Sequence, residues 1–131
     1  MNNEPVAPGP MPGTLAPTPN PVILPGKGVQ VMIPGHMYYL PQFNQPLFRQ
    51  EISFINKRPI APGSTELETV HDGTTNEAVL EMMIDRLKFL NNKVPSRETA
   101  LAITKIEEAL MWLEKRTAER KQRGVEGTNA K

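Results

Sequence analysis

Five cations fall within nine residues near the end of this chain: Lys115, Arg116, Arg120, Lys121 and Arg123, opposed only by Glu119. On a helix, Arg116 and Arg120 stand four residues apart and share a face, with Arg123 nearly in line. A guanidinium pair at that spacing can chelate two phosphates, or a pyrophosphate, through bidentate charge-assisted bonds. The same charges also suit a solvated helix end, where cations complement the negative dipole and Glu114 and Glu119 act as counter-ions. The charge pattern leaves both readings open.

Two further groups bear on such a site. Phe89 stands apart from the main apolar stripe of its own helix, so it can offer a flat face to a purine as well as pack. Arg97 and Glu98 open the next helix, whose free backbone N–H groups suit either an anion or a local capping turn. Trp112, by contrast, reads as a core or interface side chain.

Catalysis finds little footing. His36 and His71 lie in unrelated contexts, and no metal-ligand spacing or phosphate-cradling glycine loop occurs. The carboxylates Glu77, Glu81, Glu107 and Glu108 read as solvated helix positions. The expectation is a binding protein, with no catalytic residue, cofactor or metal. A net charge of only +1 argues against long nucleic acid, because no second basic stripe or run of exposed aromatics joins the cluster.

These groups need helices to position them. Thr74 and Glu77 carry the spacing of a capping box, which predicts a helix over 75–91. Val79, Leu80, Met83, Ile84, Leu87 and Leu90 give it one broad apolar face. Pro95 ends it, by excluding Val94 from helical space. Ser96 then caps a second helix over 96–123, with Glu98 in its first turn and Gly124 as its stop. Thr99, Ile103, Ile106, Leu110, Leu113 and Thr117 recur at alternating spacings of four and three, a seam that keeps facing one partner helix. The short connection makes the pair an antiparallel hairpin. Ala102, Ala109, Met111 and Trp112 widen the apolar surface beyond what one partner covers, which predicts a homo-oligomer.

Upstream, residues 28–70 hold short β-like runs: Val29–Ile33, Met37–Leu40, Glu51–Asn56 and Glu66–Val70. A turn-rich linker over 57–65 separates the last two. Eight of the first 25 residues are proline, so residues 1–27 are expected to be a disordered, proline-rich tail. That tail has neither the basic start nor the apolar run of a secretory signal. No stretch approaches the roughly 20 apolar residues that span a bilayer. The absence of cysteine fits a reducing compartment. The predicted fold class is therefore α+β: a small N-terminal antiparallel sheet and then a long antiparallel helical hairpin, with 28–131 as one domain.

Several of these segments together resemble a known family. They are Asp72-Gly73-Thr74-Thr75-Asn76-Glu77, Ile84-Asp85-Arg86-Leu87, Arg97-Glu98, the run Ile103 to Leu113, Lys115-Arg116-Thr117, and Arg123 to Thr128. The resemblance is to the helical-hairpin domain of phage anti-Thoeris sponge proteins and, more distantly, anti-CBASS cyclic-nucleotide sponges. It covers the chain from about Ile52 onward and is densest after Asn76. It implies a protein that holds a cyclic signalling nucleotide in the host bacterial cytoplasm without cutting it. The implied ligand is glycocyclic ADP-ribose, with cyclic di- or trinucleotides for some members, and the implied assembly is a dimer or hexamer. By the same resemblance, Phe89 corresponds to the residue that stacks on adenine, and Arg116 and Arg120 to those that grip the ribose-phosphate. Thr99 stands where members often have Asn against the base. The expected ligand-binding set is thus Phe89, Arg97, Thr99, Arg116, Arg120 and Arg123. The alternative is a phage assembly protein whose hairpin oligomerises and whose proline-rich arm docks a partner.

Overall fold

The structure, a computed structural model, describes residues 22–131. The expected tail lies outside them, apart from residues 22–27, which correct its boundary. Val22 and Ile23 form β1 (Val22–Ile23), antiparallel to β2 (Gln30–Ile33), with Val22 opposite Val31 and Ile23 opposite Gln30. The turn between them is closed by the Leu24 amide donating to the Val29 carbonyl at 2.8 Å. Two β-branched residues thus make a strand between Pro21 and Pro25, which is tolerable because an edge strand needs partners on one side only.

The chain divides into two compact units. One runs up to Lys57 and adds Thr69–Gly73; the other comprises Arg58–Glu68 and Thr74–Lys131.

The first unit is a four-stranded antiparallel meander in the order β1-β2-β3-β4, with β3 (Met37–Pro41) and β4 (Arg49–Ser53). Its register follows side-chain chemistry. Val22, Val31, Tyr38 and Ile52 stand in one cross-strand row, and Phe54 adds an edge-on contact to Tyr38 with ring centroids 6.0 Å apart. Period-two alternation puts Ile23, Gln30, Tyr39 and Glu51 on the opposite face. Gly73 packs against the end of this sheet. A Cβ there would lie 2.5 Å from the Ser53 carbonyl oxygen and 2.6 Å from the Phe54 carbonyl carbon, so only glycine fits. His36 and His71, unrelated in sequence, meet along a small cavity of about 50 Å³ that Asn56 also lines.

The expected linker over 57–65 is partly strand. β5 (Asn56–Pro59) pairs with β6 (Leu67–His71) in a separate two-stranded sheet. Arg58 Nε donates to Glu68 Oε1 at 2.6 Å across it.

The second unit is dominated by α1 (Asn76–Lys93) and α2 (Arg97–Gln122). Thr75 caps α1, its hydroxyl accepting from the Ala78 amide at 3.2 Å. The predicted Thr74/Glu77 capping box is therefore corrected by one residue, and the residue three after Thr75 is Ala78, which cannot reciprocate. Ser96 caps α2 as its sequence predicts, accepting from the Thr99 amide at 3.1 Å. Gly124 follows the helix at φ +73°, the left-handed stop that glycine adopts without strain.

The α2 seam faces α1 as expected. Thr99, Ile106, Leu110, Leu113 and Thr117 are half-buried and Ile103 is only 7% exposed. Ile103 is the only buried apolar side chain among the described residues. Met82, Leu90, Leu101, Met111 and Trp112 remain exposed, with Trp112 at 54%. One chain thus leaves much of the hairpin's apolar surface uncovered.

Candidate functional site

The hairpin has a turn end and a distal end, and the expected ligand residues divide between them. Phe89 sits four residues before the end of α1, while Arg97 and Thr99 open α2. These three belong to the turn end. Arg116, Arg120 and Arg123 belong to the other. The Lys88–Glu107 ion pair, 3.4 Å long, fixes the level at which the two helices face each other near Phe89. Arg116 lies nine residues beyond Glu107, about 13 Å further along the axis at 1.5 Å per residue. A flat base held on Phe89 is therefore out of reach of Arg116 in the same chain.

At the turn end the side chains are mostly free. Phe89 is 57% exposed, and one face of its ring carries Lys93, whose Nζ is 4.6 Å from the centroid. The ring is held beside a cation and is more than half open to solvent, an arrangement suited to a flat anionic ligand. Arg97 is exposed, with no ion pair among the described residues. Thr99 is engaged: Ser96 Oγ lies 2.8 Å from its hydroxyl oxygen and accepts from its amide. Asn91 completes the turn, its side-chain oxygen accepting from the Ser96 amide at 3.0 Å. The cap thus fixes how α2 leaves the turn, and Thr99 serves it.

The distal end changes the reading of Arg120. Its residue is 7% exposed. Nη1 donates to the Ala130 carbonyl at 2.7 Å, and Nη2 donates to the carbonyls of Val125 and Thr128 at 3.0 and 2.9 Å. Nε lies 3.3 Å from the Glu126 carboxylate. Four contacts thus fold the C-terminal segment back on the helix end. The segment is secured further by a Glu66–Thr128 bridge and by the Asn129 amide donating to the Thr65 carbonyl at 2.6 Å. A guanidinium so committed cannot chelate phosphate beside Arg116 without breaking the turn. Of the two members of the expected Arg116–Arg120 clamp, Arg120 is buried and Arg116 is exposed.

The sequence carried a signal for this. Continued by one step, the α2 seam goes from Thr117 to residue 120, so Arg120 occupies an inward position. Arg116 is exposed and without an ion pair among the described residues. Arg123 is exposed too, and its Nη1 donates to the Lys131 carbonyl at 2.9 Å. Lys115 lies over Trp112 at 4.9 Å. Arg116 is left as the distal-end guanidinium with no ion pair or hydrogen-bond partner among the described residues.

No group of three or more histidines or carboxylates suited to a metal occurs among the described residues. No described helix is long and apolar enough to cross a membrane.

Comparison with known proteins gives this hairpin its relatives. The family model described as Acb2/Tad1, hairpin domain, matches residues 53–118, half of the chain. The chain belongs to this family. The Acb2/Tad1 segment includes Phe89, Arg97, Thr99 and Arg116, and it ends before Arg120 and the C-terminal turn. One relative, Thoeris anti-defense 1 of Bacillus phage SBSphiJ7, is 61% identical over 61 residues. That match covers 46% of this chain and 43% of the relative, so the chain is matched along less than half of that protein's length.

Proposed function

We propose that this protein is a phage anti-defence protein that sequesters a cyclic ADP-ribose-type messenger in the host bacterial cytoplasm and so blocks Thoeris signalling. The 61% identity to a protein named Thoeris anti-defense 1 carries the reading. The open ring of Phe89 and the exposed guanidinium of Arg116 support it. The protein acts by holding rather than cutting. An exposed aromatic face and guanidinium groups bind a flat base and a pyrophosphate without supplying a nucleophile or a general base. Sequestration then works by mass action: free messenger falls when the binder is abundant and Kd lies below the signalling concentration.

The site is shared between chains. Phe89 and Arg116 lie too far apart in one hairpin, so a base on one copy's Phe89 meets Arg116 of another copy running in the opposite sense. The exposed Leu101, Met111 and Trp112 provide apolar surface for that association. A twofold arrangement would give two equivalent sites. Glycocyclic ADP-ribose is the ligand of first choice, and cyclic di- and trinucleotides form a second group, whose capture would extend the activity to CBASS signalling.

Purified protein incubated with each candidate, freed of unbound ligand and heated should release the messenger intact. Release of a linear product would make the protein an enzyme. Retention of none of the candidates would return it to the reading of an assembly protein.

A further inference from the structure

The sheet of the first unit carries a cleft that the hairpin reading does not use. It has a volume of about 500 Å³ and is lined by Ile23, Gln30, Pro41, Phe43 and Arg49, with Lys27 and Gly28 at its edge. The register explains why these residues meet. Ile23 stands opposite Gln30 and Pro41 opposite Arg49, and strand alternation puts all four on the face opposite the Val31–Tyr38–Ile52 row. Gly28, at φ +78°, offers no side chain to fill the space, and a Cβ there would already touch Pro41 at 3.4 Å.

Three features of this cleft lack a use among the described residues. Phe43 is 99% exposed, so its ring packs against nothing. Lys27 and Arg49 form no ion pair among the described residues, and no carboxylate lines the cleft with them. The Gln30 Oε1 atom is buried without a hydrogen-bond partner, the only side-chain oxygen or nitrogen so placed among the described residues. The terminal torsion of a glutamine is soft, so its amide can turn toward the cleft and accept from a donor there.

The geometry points to a second small-molecule site, one that takes a flat heteroaromatic compound bearing an N–H donor and a single acidic group. The ring lies on Phe43, with Ile23 and Pro41 as apolar walls. The acidic group meets Lys27 and Arg49, and an N–H donor in the ring or on an amino group attached to it reaches the Gln30 oxygen. Apolar walls with a few converging polar groups are the usual composition of such sites. The acid can be a phosphate or a carboxylate, since Arg49 suits both.

The test uses the full chain carrying Phe89→Ala and Arg116→Ala, so that neither end of the hairpin contributes to binding. Saturation-transfer NMR would follow adenosine 5′-monophosphate as the phosphate probe, indole-3-acetate as the carboxylate probe and adenosine as the uncharged control. At least one acidic probe should bind, and adenosine about tenfold more weakly than its monophosphate if phosphate is preferred. Phe43→Ala should weaken the acidic probe about tenfold, and Arg49→Ala should do so by a similar factor. Both replaced side chains are exposed, so the circular dichroism spectrum and messenger retention in an otherwise unaltered chain should not change. Gln30→Leu should weaken probes that carry the N–H donor, the indole ring N–H or the adenine amino group, more than their N-methylated analogues. The assignment is overturned if neither acidic probe binds, if binding survives Phe43→Ala and Arg49→Ala unchanged, or if a crystal structure shows the cleft filled by another copy of the chain.

Discussion

The two ends of the hairpin are built on opposite principles. At the turn end, neutral side-chain caps do the structural work: Ser96 and Asn91 satisfy the turn, and Phe89 and Arg97 remain open to solvent. At the distal end a charged side chain does it, with Arg120 holding three carbonyls and a carboxylate while Arg116, one turn earlier, has no partner among the described residues. Arginines of identical chemistry on one helix thus serve structure in one case and remain available for a ligand in the other. Burial decides which, and charge density does not.

Substitutions at the two ends should separate these roles, beginning with the residue that holds the helices together. Ile103→Ala removes the buried side chain of the seam and should cost about 3 kcal/mol, read as a lower melting temperature that affects both ends. Arg120→Ala leaves a part-buried carboxylate and three carbonyls without their donor. It should cost a similar ~3 kcal/mol, and limited proteolysis should then cut between Gly124 and Lys131. Equal resistance to protease in Arg120→Ala and the parent would dismiss the clasp. Ser96→Ala should cost about 1 kcal/mol through the lost cap. Arg116→Ala and Phe89→Ala should move stability by no more than about 0.5 kcal/mol, since both side chains are exposed. Each should nonetheless weaken messenger retention by about 100-fold, as central binding residues do. A large stability loss in Arg116→Ala with retention intact would erase the contrast between the two arginines.

Much of this architecture was legible in the sequence because helix periodicity is a local signal with many repeats. Six positions from Thr99 to Thr117 announced the seam, and each is buried or half-buried. The strands Met37–Pro41 and Leu67–His71 were visible within a residue or so for a similar reason, alternation bounded by turns. What was missed depended on single residues judged by type. Val22–Ile23 were assigned to the tail because prolines flank them, although an edge strand of two residues accommodates that. Lys57 and Arg58 looked like linker, yet they pair across β5–β6, where Arg58 meets Glu68. The four-residue spacing puts Arg120 beside Arg116 on one face, whereas the seam continued past Thr117 puts it inward, where it is buried. Proximity of a different kind was also invisible: Phe89 and Arg116 look like one site until their levels along the hairpin are compared.

The claim that matters most is that one messenger is held by the turn end of one chain and the distal end of another. Phe89→Ala and Arg116→Ala chains, co-expressed with different tags and purified through both, test it directly. Each variant alone should retain no glycocyclic ADP-ribose, because every shared site lacks one group. In a mixed twofold pair, one site loses both groups and the other keeps both, so retention should return to about half of the unaltered level. Mixed complexes as empty as the single variants would mean that each chain closes its own site, and the shared-site account would fail.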